Sequence, residues 1–163
     1  MNMETVLLAL DSTDDERLYE LVDTAANVAG PADATVVLLH VFDRDEYESL
    51  QHRLGIDPSS ETTPSDVAKR YETVKTVADA LEARGIEVEI RGALGDEGDS
   101  IVRVAGTVGA DMVVVGGRKR SPTGKAVFGS VAQRVMLNSP CPVTFVKASD
   151  VEIAPSETPE LRA

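Results

Sequence analysis

Asp111-Met-Val-Val-Val115-Gly116-Gly117-Arg118-Lys119-Arg120-Ser121-Pro-Thr-Gly124-Lys125-Ala-Val-Phe-Gly129-Ser130-Val131 is the stretch around which the chain is organised. It opens with an apolar run, Met112 to Val115, that reads as a buried strand. Gly116-Gly117 breaks the run. A basic triplet, Arg118-Lys119-Arg120, leads into a turn over Ser121-Pro122-Thr123-Gly124, and Gly129-Ser130 closes the segment. A strand, a glycine loop, a cationic cluster and a glycine-hydroxyl pair are the parts with which backbone N–H groups hold phosphate.

The charge map points the same way. The chain carries 28 acidic and 16 basic residues, a net charge of −12. Between Asp111 and Asp150 there is no acidic residue, whereas Arg118, Lys119, Arg120, Lys125, Arg134 and Lys147 all lie there. A positive island in an acidic protein concentrates anions. The excess of negative charge elsewhere is the composition that stays soluble in concentrated salt, which suggests a halophilic setting. It opposes binding to nucleic acid, whose phosphates would be repelled, and 4% aromatic residues leave little for base stacking.

The 163 residues suit one domain with a full core. No apolar run reaches the ~20 residues that span a bilayer, so no membrane is expected. Met1-Asn2-Met3-Glu4 lacks the start of a signal peptide, which makes the cytoplasm the expected location. One cysteine, Cys141, and two histidines, His40 and His52, are too few for the usual structural zinc site.

Working outward, Thr5 to Leu10 and Ala34 to Phe42 are further apolar runs of the parallel-strand kind. Leu18, Leu21, Val22, Ala25 and Val28-Ala29 recur at helical spacing after Asp11-Ser12-Thr13-Asp14, and Gly30-Pro31 should stop that helix. Residues 43–63 read as a long polar loop with a helical turn at Leu50 and Leu54. Thr63-Pro64-Ser65-Asp66 opens one helix whose face is Val67, Tyr71, Val74, Ala78 and Leu81. Ile86, Val88 and Ile90 alternate with charges, as in an edge strand. Gly95-Asp96 starts a helix with Ile101, Val104, Ala105 and Val108 inward, and the helix after the glycine loop carries Val127, Val131 and Val135. Val143 to Val146 is a final strand, and residues 148–163 read as a flexible tail beyond a domain of residues 1–147.

Strands alternating with helices predict an α/β fold, one open five-stranded parallel sheet with helices on both faces; the strand order is taken as 3-2-1-4-5. Ligands bind such sheets beyond the strand C-termini, where the order reverses. That point brings Asp11, after the first strand, beside Gly116, after the fourth.

Several familiar signatures are absent. A P-loop would need glycine at Lys119 and Ser or Thr at Ala126. No Gly-x-Gly-x-x-Gly follows the first strand, and no Gly-x-Ser-x-Gly is present. His40, inside an apolar strand, reads as a packed residue.

Gly116-x2-Lys119-x9-Gly129-Ser130 closely resembles Gly-x2-Gly-x9-Gly-Ser/Thr, the phosphate signature of the universal stress protein family. The resemblance includes Leu8-Ala9-Leu10-Asp11-Ser12, Leu39-His40-Val41, Gly95-Asp96, Gly109-Ala110-Asp111 and Ser139-Pro140-Cys141-Pro142-Val143. It implies a Rossmann-like fold similar to the adenine nucleotide alpha hydrolases. It further implies ATP, or AMP or ADP, with Mg²⁺. Ala9 would line the pocket, Asp11 would face ribose and metal, and the Val41 backbone would meet adenine. Gly116, Gly117, Arg118, Lys119, Arg120 and Ser121, with Gly129, Ser130 and Val131, would wrap the phosphates. A homodimer through Val143–Val146 and a role as a stress-associated nucleotide switch also follow from it. Lys119 departs from the family's second glycine, at a cost of ~1–2 kcal/mol if a positive φ is needed there. That departure motivates a second reading, a dimeric scaffold that binds no nucleotide. A third is a slow ATP hydrolase, for which Asp11 is the one nameable base.

Overall fold

The computed structural model describes residues 2–11, 17–120 and 126–147. The expected caps Ser12, Thr13 and Asp14, the turn at Ser121 to Lys125 and the tail 148–163 lie outside them.

The elements in chain order are β1 (Thr5–Leu10), α1 (Leu18–Ala32), β2 (Thr35–Phe42), α2 (Arg44–Leu54), α3 (Pro64–Lys69) and α4 (Glu72–Glu82). They continue with β3 (Val88–Leu94), α5 (Glu97–Val108), β4 (Met112–Arg120), β5 (Ala126–Phe128), α6 (Ser130–Asn138) and β6 (Val143–Lys147). Four parallel pairings, β3 with β2, β2 with β1, β1 with β4 and β4 with β6, build the expected five-stranded sheet. The predicted fifth strand is β6.

The two sheet faces follow from strand alternation. Val6, Leu8, Leu10, Val36, Leu38 and Val114 pack with α1 and α4 residues such as Leu21, Ala25, Val77 and Leu81. Leu7, Ala9, Val37, Leu39, Val41, Val113 and Val115 pack with Ile101, Val104, Ala105 and Val135 of α5 and α6. The apolar runs of β1, β2 and β4 are buried on both sides, as parallel strands require.

Five local expectations are corrected. Pro31 does not stop α1. It sits in the last turn, where its missing N–H leaves one ladder bond, to the Asn27 carbonyl, unmade, and the helix ends only after Ala32. There Asp33, at φ 55°, donates its N–H to the carbonyls of Ala29 and Gly30. Residues 44–54 are not loop but α2, capped by Asp43, which accepts from Glu46 N at 2.7 Å, and closed by Gly55 at φ 70°. Tyr47 and Leu50 give it an apolar side against Phe42, Val67 and Ala68. The single helix expected after Thr63 is two helices, α3 and α4, because Tyr71 is extended at φ −81°, ψ 127°. That break lets Val67 join the α2 cluster while Val74, Ala78 and Leu81 turn to the sheet. β4 does not break at Gly116-Gly117 but runs to Arg120. Val127, expected in the last helix, belongs to β5, which pairs antiparallel with β4 as Arg118–Phe128, Lys119–Val127 and Arg120–Ala126.

His40 is a packed residue. It lies on the α1–α4 face, with its ring 4.5 Å from Phe42 and 4.9 Å from Tyr71, and its Nε2 is 3.2 Å from Glu46 Oε2.

Candidate functional site

Register places the predicted residues. β1 pairs β4 with Ala9 opposite Val115, so Leu10 falls beside Gly116. β1 pairs β2 with Leu10 opposite His40, which sets Asp11 level with Val41. The C-terminal ends of the three central strands therefore bring Val41, Asp11 and Gly116-Gly117 side by side. Strand order reverses here, since β1 leads outward through β2 on one side and β4 leads through β6 on the other.

The face matters as much as the end. Ala9 and Val41 are buried in the α5–α6 cluster, and Val131 packs against the same cluster. Alternation carries Asp11 to that face too. His40, one residue before Val41, points the opposite way, which separates it from the crevice.

α6 supplies the far wall. Gly129 is its N-cap at φ −72°, ψ 173°, with no side-chain cap bond, and its carbonyl accepts the Gln133 N–H at 3.1 Å. The first N–H groups of a helix have no intrahelical partner and carry the positive end of the dipole. Gly129 and Ser130 are exposed, and a side chain at Gly129 would meet nothing of the described residues within 4 Å. The N-terminus of α6 is fixed through α5. Asp96 caps α5 by accepting the Asp99 N–H at 2.9 Å. A Cβ at Gly98 would stand 2.8 Å from Arg134 Cγ and 3.0 Å from Arg134 Cβ, so only glycine permits this approach. Arg134 then reaches Asp99 at 3.4 Å, which directs this cation of the positive island to α5 rather than to the crevice.

The glycine loop is a hairpin at its base. At the level of Arg118, β4 has Lys147 of β6 on one edge and Phe128 of β5 on the other. β5 thus takes the edge that β1 occupies lower down and folds back across the end of β1. Lys119 lies inside this ladder opposite Val127. It is extended, and among the described residues only Asp33 is a non-glycine with positive φ. The strain feared for lysine at the second glycine position does not arise. Arg118 and Arg120 share the ladder, and Ser121 lies outside the described residues.

Sequence reasoning missed two participants. The hairpin had a readable signal: short runs on either side of a Ser-Pro-Thr-Gly turn. Arg17 had none. It is buried, and its Nη1 donates to the Val146 carbonyl at 3.1 Å, across 129 positions of chain. Val146 pairs Gly116, so this contact ties the start of α1 to the base of the loop. Cys141 is half-buried against the α5–α6 cluster, next to a turn held by Ser139, whose Oγ accepts Cys141 N at 3.2 Å and donates to Cys141 O at 2.7 Å.

Fold and register together define a doubly wound α/β protein with a crevice at the topological switch point. The chain belongs to the universal stress protein family, whose model matches residues 2–147. A universal stress protein of Mycolicibacterium smegmatis is 40% identical over 68 residues, 41% of this chain; the match spans about half, 52%, of that relative. The structure of a universal stress protein from Archaeoglobus fulgidus is similar at TM-score 0.64 and 30% identity, covering 90% of this chain and 100% of that one. Another from Archaeoglobus fulgidus, in complex with dAMP, has TM-score 0.61 at 24% identity, covering 90% and 100%. Among the described residues no helix is long and apolar enough to cross a membrane.

Proposed function

We propose that this chain binds an adenine nucleotide in the β1–β4 crevice and acts as a homodimeric, stress-associated switch governed by that occupancy. The observation that carries the reading is the register: Val41, Asp11 and Gly116 align on one sheet end, on the face closed by Gly129 and Ser130 of α6. The dAMP held by the Archaeoglobus fulgidus protein supports the ligand class.

In this reading Ala9 floors the pocket, Asp11 faces the ribose, and the Val41 backbone meets the base. Gly116 to Ser121 with Gly129, Ser130 and Val131 surround the phosphates, where the first N–H groups of α6, which have no intrahelical partner, and the basic triplet favour negative charge. Mg²⁺ typically takes one or two carboxylates plus phosphate oxygens. Among the described residues no group of three or more acidic, His or Cys side chains converges. Asp11 together with the nucleotide itself fits that requirement, and the ion would neutralise phosphate charge. The extended backbone at Lys119 favours retained binding over a ligand-free scaffold. The dimer forms through the edge strand β6, Val143–Val146.

Thermal unfolding with ATP, ADP and AMP, each with and without Mg²⁺, tests the reading. A ligand at 100 times its Kd stabilises the folded state by about 2.7 kcal/mol. A rise in Tm with adenine nucleotides but not with free phosphate is expected. No shift with any of them at millimolar concentration contradicts it.

A further inference from the structure

The strand order leaves two sheet edges, β3 and β6, and they are built differently. β3 pairs only with β2, and β6 only with β4, among the described residues. Outward N–H and C=O groups on such edges recruit further strands.

On β3, the odd-numbered side bonds inward: Glu87 O accepts from Val36 N, and Gly95 N donates to Phe42 O. Even-numbered residues therefore turn their backbone groups outward. Gly92 is one of them, and its groups are already engaged. Its N–H donates to Ser65 Oγ at 3.0 Å, and the same hydroxyl donates to Gly92 O at 3.4 Å. The approach is close enough that a Cβ at Gly92 would stand 2.1 Å from Pro64 O and 2.5 Å from Pro64 C.

α3 is held there from two sides. The Thr63–Asp66 capping box and Pro64 in the first turn fix its start. Val67 and Ala68, both buried, anchor it against Phe42, Tyr47 and Leu50. Below Gly92 the edge carries the Arg91–Glu89 pair, at 3.0 Å, and Lys69 overlooks it. Charges of this kind also deter strand addition. β6 has no charge before Lys147, and no strand or helix of the described residues pairs along its outer side.

We propose that Ser65 and Gly92 form a built-in stop on the β3 edge, so that a second copy of this chain can add only at β6 and self-association closes at two. With both edges open, head-to-tail pairing of β6 on β3 would run on into filaments, whereas a two-fold β6 contact consumes its own edge. The β6 half rests on the dimer reading above; the block at β3 does not.

Sedimentation velocity across a wide concentration range tests this, with far-UV circular dichroism to show folding. Val113 N donates to Pro142 O, so the even-numbered residues here bond to β4 and Val143 turns its N–H outward. Wild type should saturate at the dimer, and Val143→Pro in β6 should give monomer. Gly92→Ala, which must displace Pro64, should add species larger than the dimer that grow with concentration. Gly92→Ala with Val143→Pro should lose them. A folded Gly92→Ala variant that stops at the dimer overturns the proposal. If Gly92→Ala does not fold, Ser65→Ala carries the test through the Gly92 amide, whose hydrogen exchange should speed up roughly tenfold or more. Unchanged exchange overturns the stop. A monomeric wild type defeats the dimer reading alone. In that case Gly92→Ala should still self-associate, and its failure to do so defeats the stop.

Discussion

The guanidinium of Arg17 donates to the carbonyl oxygen of Val146, 3.1 Å away, and both residues are buried. Val146 stands opposite Gly116, so the first residue after the segment that follows Asp11 is tied to the base of the glycine loop. The bond thus ties the start of α1 to the strand beside the glycine loop.

Removing that bond leaves a buried carbonyl short of a charged donor. Hydrogen bonds to charged groups contribute ~1.5–3 kcal/mol. Arg17→Met, which keeps an apolar stem, should therefore lose that amount of stability in urea unfolding. A loss under about 0.5 kcal/mol would show that the contact is incidental.

Gly129→Val separates binding from folding. At φ −72° the position accepts any residue, and a side chain meets nothing of the described residues within 4 Å. Valine is a poor N-cap, so a loss of about 1 kcal/mol is expected from the cap alone. Nucleotide affinity should fall more than tenfold, since the methyl groups occupy the space against the α6 N-terminus. Equal affinity for both proteins would move the phosphates elsewhere.

Gly98 governs where that N-terminus stands. Gly98→Val forces Arg134 Cβ and Cγ aside and should cost ~1–3 kcal/mol. It should also weaken nucleotide binding by shifting α6. Asp99→Ala removes only the exposed pair with Arg134 and should change stability by less than about 1 kcal/mol. Comparable losses in the two variants would argue against close packing as the cause.

Asp111 gives a pH signature. Its Oδ2 accepts the N–H groups of Glu4, at 2.8 Å, and Thr5, at 3.1 Å, and these bonds hold its carboxyl below the ordinary aspartate range. A depressed folded-state pKa contributes stability that is present above the unfolded value, about 4, and is lost as pH falls through the folded value. Asp111→Asn should lower Tm at pH 7, and the gap to wild type should close in acid below that range. A gap independent of pH would assign the effect to geometry rather than charge.

The sheet was legible because β1, β2 and β4 are apolar on both faces, a pattern only buried parallel strands require. Alternation with helices does not fix its order, since 2-1-3-4-5 alternates in the same way; the order 3-2-1-4-5 is what brings Asp11 and Gly116 together. α2 was not legible as a helix: Arg44, Asp45, Glu46 and Glu48 dominate its composition, while its stability comes from Tyr47 and Leu50 meeting Val67 and Ala68 in a later segment. The split at Tyr71 is equally tertiary, since an unbroken helix would leave Val67 and Val74 on one stripe. At the site, residue identity was readable but conformation was not. Lys119 looked strained in a glycine position and is relaxed in a strand, because its hairpin partner Val127 was assigned to a helix. Arg17 shows the limit most plainly, as its partner lies at the other end of the chain.

Isothermal titration of the purified protein with Mg-ATP and with AMP measures occupancy of the crevice itself. Saturable binding near one nucleotide per chain is expected, abolished or weakened more than tenfold in Gly129→Val. No heat from either nucleotide at millimolar concentration, with the protein folded, would contradict it.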